Sequence, residues 1–193
     1  MRFESSSPIK KGAEYELALL GGKPDLKPET PPEIKKHLFS DFNCPEETNE
    51  LMLDIEKYSQ SDPINPKKWF LKELRHQIIN ALNLKTKEEQ ENIKIFSTVG
   101  TTLDTRRGID FFIGYYDAEK KKTIRIAGDV TEATLAEKIK RSESATFNKI
   151  FIFGDVGEKC LKGDEKECFE IMSHYGFQFA EAIKAKIARI RPA

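Results

Sequence analysis

The clearest pattern in the chain is an apolar stripe near its C-terminal end. Phe169, Met172, Gly176, Phe179, Ile183, Ile187 and Ile190 recur at three- and four-residue steps, which predicts a helix from about Asp164 to Ile190. Phe70, Leu74, Ile78 and Ala81 repeat at similar spacing and predict a second helix. It would start at Asn65-Pro66, with Asn as cap and Pro in the first turn, and run to about Leu84. Between the two helices the period changes to two. Ile93, Ile95, Ser97 and Val99 alternate with Lys94, Phe96 and Thr98, the pattern of a strand. Ile109–Tyr116 and Thr123–Val130 are rich in aromatic and β-branched residues, and the polar Asp117–Lys122 joins them as a hairpin. Thr131 to about Ser142 reads as a helix with Leu135, Ala136 and Ile139 inward. Lys149-Ile-Phe-Ile-Phe-Gly154 reads as a short strand buried on both faces.

From residue 66 the order is therefore αβββαβα, which predicts an α/β fold. About four core strands would form a mixed sheet flanked by helices. The N-terminal part differs. Five of the nine prolines fall between Pro24 and Pro45, so long regular elements are excluded there, and short helices are expected over Pro32–Phe42 and Glu46–Ser59. Residues 1–60 are read as a Pro-rich elaboration and residues 61–193 as the main α/β domain.

Composition narrows the function classes. Hydrophobic residues at 38 % and charged residues at 33 % fit a globular chain rather than a disordered one. The 32 basic and 32 acidic residues balance, so no global basic field announces nucleic acid, although local patches remain open. Cys44, Cys160 and Cys168 fit neither a disulfide framework nor a zinc cluster. Free thiols in a reducing cytoplasm are expected, with the eight-residue spacing of Cys160 and Cys168 leaving a bridge open. No run has the length of a signal peptide or a membrane span, so no membrane partner is expected.

The candidate chemistry centres on Asp110 and Asp129. One opens a predicted strand and the other closes the next, and an antiparallel hairpin brings those ends together. Two carboxylates in one place repel unless they share a proton or a cation, which suits Mg²⁺ or Mn²⁺. Glu73, on the edge of the Phe70/Leu74 stripe, is a candidate third ligand. Arg106 and Arg107 are candidates to grip substrate phosphates. Asp104 ranks below Asp110 because it is expected in a loop, and that loop lacks the glycine and lysine spacing of a phosphate loop. His37, His76 and His174 have no partner at ligand or triad spacing and are read as structural or exposed. The basic end, Lys184, Lys186, Arg189 and Arg191, suits a helix C-terminus and could also touch nucleic acid.

The element order and the two aspartates resemble the PD-(D/E)XK nuclease-like superfamily, over roughly residues 66–155. The resemblance implies a restriction-endonuclease-like core in which Asp110 and Asp129 hold Mg²⁺ for phosphodiester hydrolysis on nucleic acid. It also implies a lysine two positions beyond Asp129, where this chain has Thr131. Lys138 and Lys140 are candidates for a relocated lysine, and Thr131 would then face substrate beside Asp129. Two rival readings stand beside this one. A nuclease fold without activity would bind nucleic acid or a protein partner, and an accidental likeness would leave a regulatory or scaffold protein. In the plainest case Asp129 caps a helix and Asp110 belongs to a turn.

Overall fold

The computed structural model describes residues 8–39, 48–131, 149–153, 156, 160 and 165–190. The described elements are α1 (Pro8–Leu20), α2 (Pro32–Phe39), α3 (Thr48–Tyr58), α4 (Trp69–Ala81) and α5 (Lys87–Glu91). After them come β1 (Ile93–Ser97), α6 (Thr102–Arg107), β2 (Phe111–Asp117), β3 (Lys122–Thr131), β4 (Lys149–Phe153) and α7 (Glu165–Arg189). The helix expected over Thr131–Ser142 lies outside the described residues, apart from Thr131 itself, which ends β3.

The fold is a mixed α/β arrangement in which four strands lie in the order β1-β2-β3-β4. The first three form an antiparallel meander, and β4 runs parallel to β3 with Ala127 opposite Lys149 and Asp129 opposite Phe151. The predicted hairpin is present. Asp117 pairs with Lys122, and the buried Asp117 carboxylate accepts the backbone N–H groups of Glu119 and Lys120 at 3.1 Å, which sets the turn.

Alternation along the strands divides the interior into two cores. One face gives Ile93, Ile95, Phe111, Ile113, Ile124, Ile126 and Ile152 to α4 and α7, with Leu19 and Leu20 of α1 closing its side. The opposite face gives Phe96, Phe112 and Ala127 to Leu38 of α2 and to Leu51, Met52 and Ile55 of α3. The N-terminal elaboration thus furnishes most of the cover for the second face. A bidentate Arg125–Glu56 pair (2.7 and 2.6 Å) ties β3 to α3 there. Against the other face, α4 and α7 approach closely at Gly176, where a Cβ would fall 2.5 Å from that of Gln77 and 2.8 Å from its carbonyl carbon.

Several expectations need correction. The helix predicted from Pro66 begins at Trp69, because Asp62 Oδ1 accepts the N–H groups of Ile64 and Asn65 and holds the preceding residues in a turn. The 100–105 stretch read as a loop contains most of helix α6. Among the described residues β4 is an edge strand, and its first three residues are half-buried rather than covered on both faces. Phe169, placed on the inner stripe of the last helix, is 57 % exposed, and Cys168 takes the inward position.

That rotation bears on the cysteines. Cys160 and Cys168 are joined in a disulfide, with Cα atoms 4.8 Å apart, so the expectation of free thiols fails for these two. The bond closes a loop of sequence separation eight. Cys168→Ser is expected to cost about 2–3 kcal/mol on chain-entropy grounds. Denaturant unfolding checks this: wild type in reductant should match the variant, and equal midpoints with and without reductant would contradict it. Among the described residues no helix is long and apolar enough to cross a membrane.

Candidate acidic site

The site forms where the residue leading into β2, the end of β3, α6 and α1 meet. Asp110 sits just ahead of β2 and is bound on both sides. Its N–H donates to Gly128 O (3.0 Å), and its C=O accepts from Thr98 N (2.9 Å). Its carboxylate accepts from Val130 N at 2.6 Å. Asp110 therefore holds the backbone atoms on either side of Asp129. The two aspartates are 3 % and 2 % exposed.

Such burial is costly for a carboxylate that carries charge. Desolvation first, and then the Asp129 carboxylate, push the Asp110 carboxyl up to about 8; Glu16 and Asp104 add to the push, and the Val130 N–H opposes it. Asp110 is therefore in place to hold a proton near neutrality, or to exchange that proton for a cation.

The loop between β1 and β2 delivers another acid. Thr98 Oγ1 donates to Ile109 O, and Thr101 Oγ1 to Thr98 O at 2.6 Å, which folds the chain back on itself. Gly100, at φ +73°, then donates its N–H to Asp104 Oδ2 at 2.6 Å. Oxygens of Glu16, Asp104 and Asp110 all lie within 4.8 Å of one another. Hard oxygen donors of this kind suit Mg²⁺ or Mn²⁺.

Beside this trio stands a cation. Lys149 opens β4, and its ammonium lies 3.4 Å from Asp129 Oδ2, with the side chain only 7 % exposed. It also donates to the C-terminal carbonyls of α6, Arg107 O at 2.7 Å and Gly108 O at 3.0 Å. Gly108 ends that helix at φ +55°, and a Cβ there would lie 3.2 Å from the ammonium and 3.3 Å from Asp129 Oδ2. Both the positive φ and this close approach favour glycine here.

The predicted residues divide accordingly. Asp110 and Asp129 come together, and Arg106 and Arg107 lie on the last turn of α6, where the Arg107 carbonyl shares the Lys149 ammonium with Asp129. Thr131 is buried at the end of β3. Glu73 keeps other company: it accepts from Gln77 Nε2 at 2.7 Å, lies 4.0 Å from His76 Nδ1, and is not in the carboxylate trio. Lys138 and Lys140 lie outside the described residues. His37 pairs with Asp54 (3.2 Å), and His174 contacts Gln178. Lys184 pairs with Glu181, and Lys186 donates to Arg125 O.

Glu16 and Lys149 are absent from the sequence expectations, and Asp104, expected in a loop, joins the trio from helix α6. A faint signal existed for Glu16, since Pro8 followed by Tyr15, Leu19 and Leu20 is compatible with a helix start and an apolar face. Lys149 is the one charge in an otherwise apolar strand sequence, which marks it only once β4 is known to adjoin β3. Compared with known proteins, the chain matches no family profile, no curated protein and no solved structure.

Proposed function

We propose that this chain is a metal-dependent phosphodiesterase acting on nucleic acid, built on a restriction-endonuclease-like core. The observation that carries the reading is the convergence of Glu16, Asp104, Asp110 and Asp129 beside one buried ammonium. Burial and the neighbouring acids hold a proton on Asp110, and a divalent cation can take the place of that proton. Asp110, Asp104 and Glu16 would hold Mg²⁺ or Mn²⁺. Such an ion, when bound, polarises a phosphate oxygen and acidifies a bound water.

The chain's own groups supply the rest. Asp129 and Lys149 form a carboxylate–ammonium pair against the trio, able to orient a water and to offset charge building on the phosphate oxygens. The ammonium would thus fill the role left vacant by Thr131, reached from the neighbouring strand instead of from two residues along β3. Arg106, exposed, and Arg107, half-buried, on the last turn of α6 would supply phosphate contacts.

The test is cleavage of labelled DNA and RNA oligonucleotides, single- and double-stranded, in Mn²⁺ or Mg²⁺. Asp129→Asn is expected to slow cleavage about 100-fold or more, and Lys149→Met to lower kcat about tenfold to 100-fold with little change in KM. One observation favours a second reading. The Lys149 ammonium already meets two carbonyls and a carboxylate, as a purely structural charge would. Metal binding without cleavage of any substrate would move the catalytically degenerate binding module ahead.

A further inference from the structure

Resting on the phosphodiesterase reading above, we infer that Lys23 and Phe39 form a handle for unpaired nucleotides at the rim of the acidic site, so that the substrate is single-stranded nucleic acid. Phe39 ends α2 and is 39 % exposed. The Lys23 ammonium stands 5.5 Å from the centroid of its ring. Lys23 also lies along the loop that presents Asp104. A Cβ at Gly100 would fall 2.7 Å from Lys23 Cγ, and the Gly100 N–H is bonded to Asp104 Oδ2. Thr102 Oγ1 donates to His37 O and Leu38 O (3.2 and 3.1 Å), which fixes the end of α2 against the start of α6. An aromatic face and an ammonium are thereby tied to the element that carries one of the four acids.

The placement has a chemical consequence. Clustered carboxylates repel a polyanion, so a strand reaching them needs cationic and stacking contacts close by. Among the described residues no carboxylate pairs with Lys23, whose contact is the ring. Among the described residues no group accepts from its N–H donors, which suit a phosphate. A protruding phenyl ring can stack only on a base whose face is open, and in a duplex those faces are covered. Lys23 and Phe39 together therefore suit a backbone phosphate and an adjacent unpaired base.

Fluorescence anisotropy in metal-free buffer tests this, with labelled oligothymidylate, oligouridylate and a duplex of the same length. Wild type is expected to bind the single strands more tightly than the duplex. Phe39→Ala should weaken single-strand binding about tenfold while Phe39→Trp retains it, because stacking tolerates any aromatic ring. Lys23→Ala should reduce the salt dependence by about one phosphate contact. Thermal melts of the variants control for folding. The two oligonucleotide chemistries separate DNA from RNA. Unchanged binding by Phe39→Ala, or tighter binding of the duplex, overturns the handle. Single-strand binding that depends on Phe39, with no cleavage in any metal, upholds the handle and removes the hydrolytic reading. Cleavage that needs Asp129 but is indifferent to Phe39 does the reverse.

Discussion

Asp110→Asn is expected to abolish divalent-cation binding and, at the same time, to stabilise the metal-free protein at pH 8. Burial and the Asp129 carboxylate raise the Asp110 carboxyl to about 8 in the folded chain, from an ordinary value of 3.8. Between those values the native state keeps a proton that the unfolded chain has already released. Stability therefore falls as pH rises through that window and levels off above it, by at most ~1.4 kcal/mol per pH unit from this group. Below the lower value the effect is absent. The asparagine amide carries no charge at any pH, and its oxygen still accepts the Val130 N–H. The variant should thus show a flatter stability profile between pH 5 and pH 8, and calorimetry should find no Mn²⁺ uptake. In wild type, added Mn²⁺ should recover the stability lost at high pH, since the ion binds the folded state alone. Parallel pH profiles for the two proteins would show that Asp110 is ionised and comfortable in the native state, and would remove the charge argument for a metal.

Gly128→Ala is expected to cost about 3 kcal/mol or more, the upper end of what overpacking does. Gly128 lies opposite Phe111 across the β2–β3 ladder, and a Cβ would fall 2.2 Å from the tip of that ring and 2.4 and 2.7 Å from its flanks. The ring cannot retreat. It is fully buried, edge-on to Phe70 at 6.4 Å and tilted against Phe179 at 5.7 Å, so α4 and α7 hold it in place. The alanine would instead push β3 away from β2 at the residue before Asp129 and carry the acidic site with it. Phe111→Leu in the same chain should recover part of the loss, because the two positions share one space. Urea unfolding of the single and double variants measures this. Additive losses would mean that the clash is relieved elsewhere.

Both predictions turn on places where the sequence was legible to different depths. The strands and the last helix were readable because their apolar periods of two and of three to four are strong and local. The Asp117–Lys122 turn was readable because a polar run between two strand-like runs has one common outcome. The inward side of α7 begins at Cys168, one residue before the Phe169 that the apolar spacing points to. Phe169 and Cys168 are neighbours, and only the disulfide and the packing against α4 decide which of them turns inward.

For the site, the sequence by itself determined the two aspartates, because strand ends joined by a hairpin must meet. It also determined that no lysine stands two positions beyond Asp129. Only the tertiary structure decided what surrounds them. Glu16 comes from a helix nearly a hundred residues earlier, Asp104 from a short helix between strands, and Lys149 from the strand lying parallel to β3. Local spacing records which residues share a face of their own element. The meeting of five elements is set by how two hydrophobic cores close over one sheet, and a pairing of that kind leaves no period in the chain.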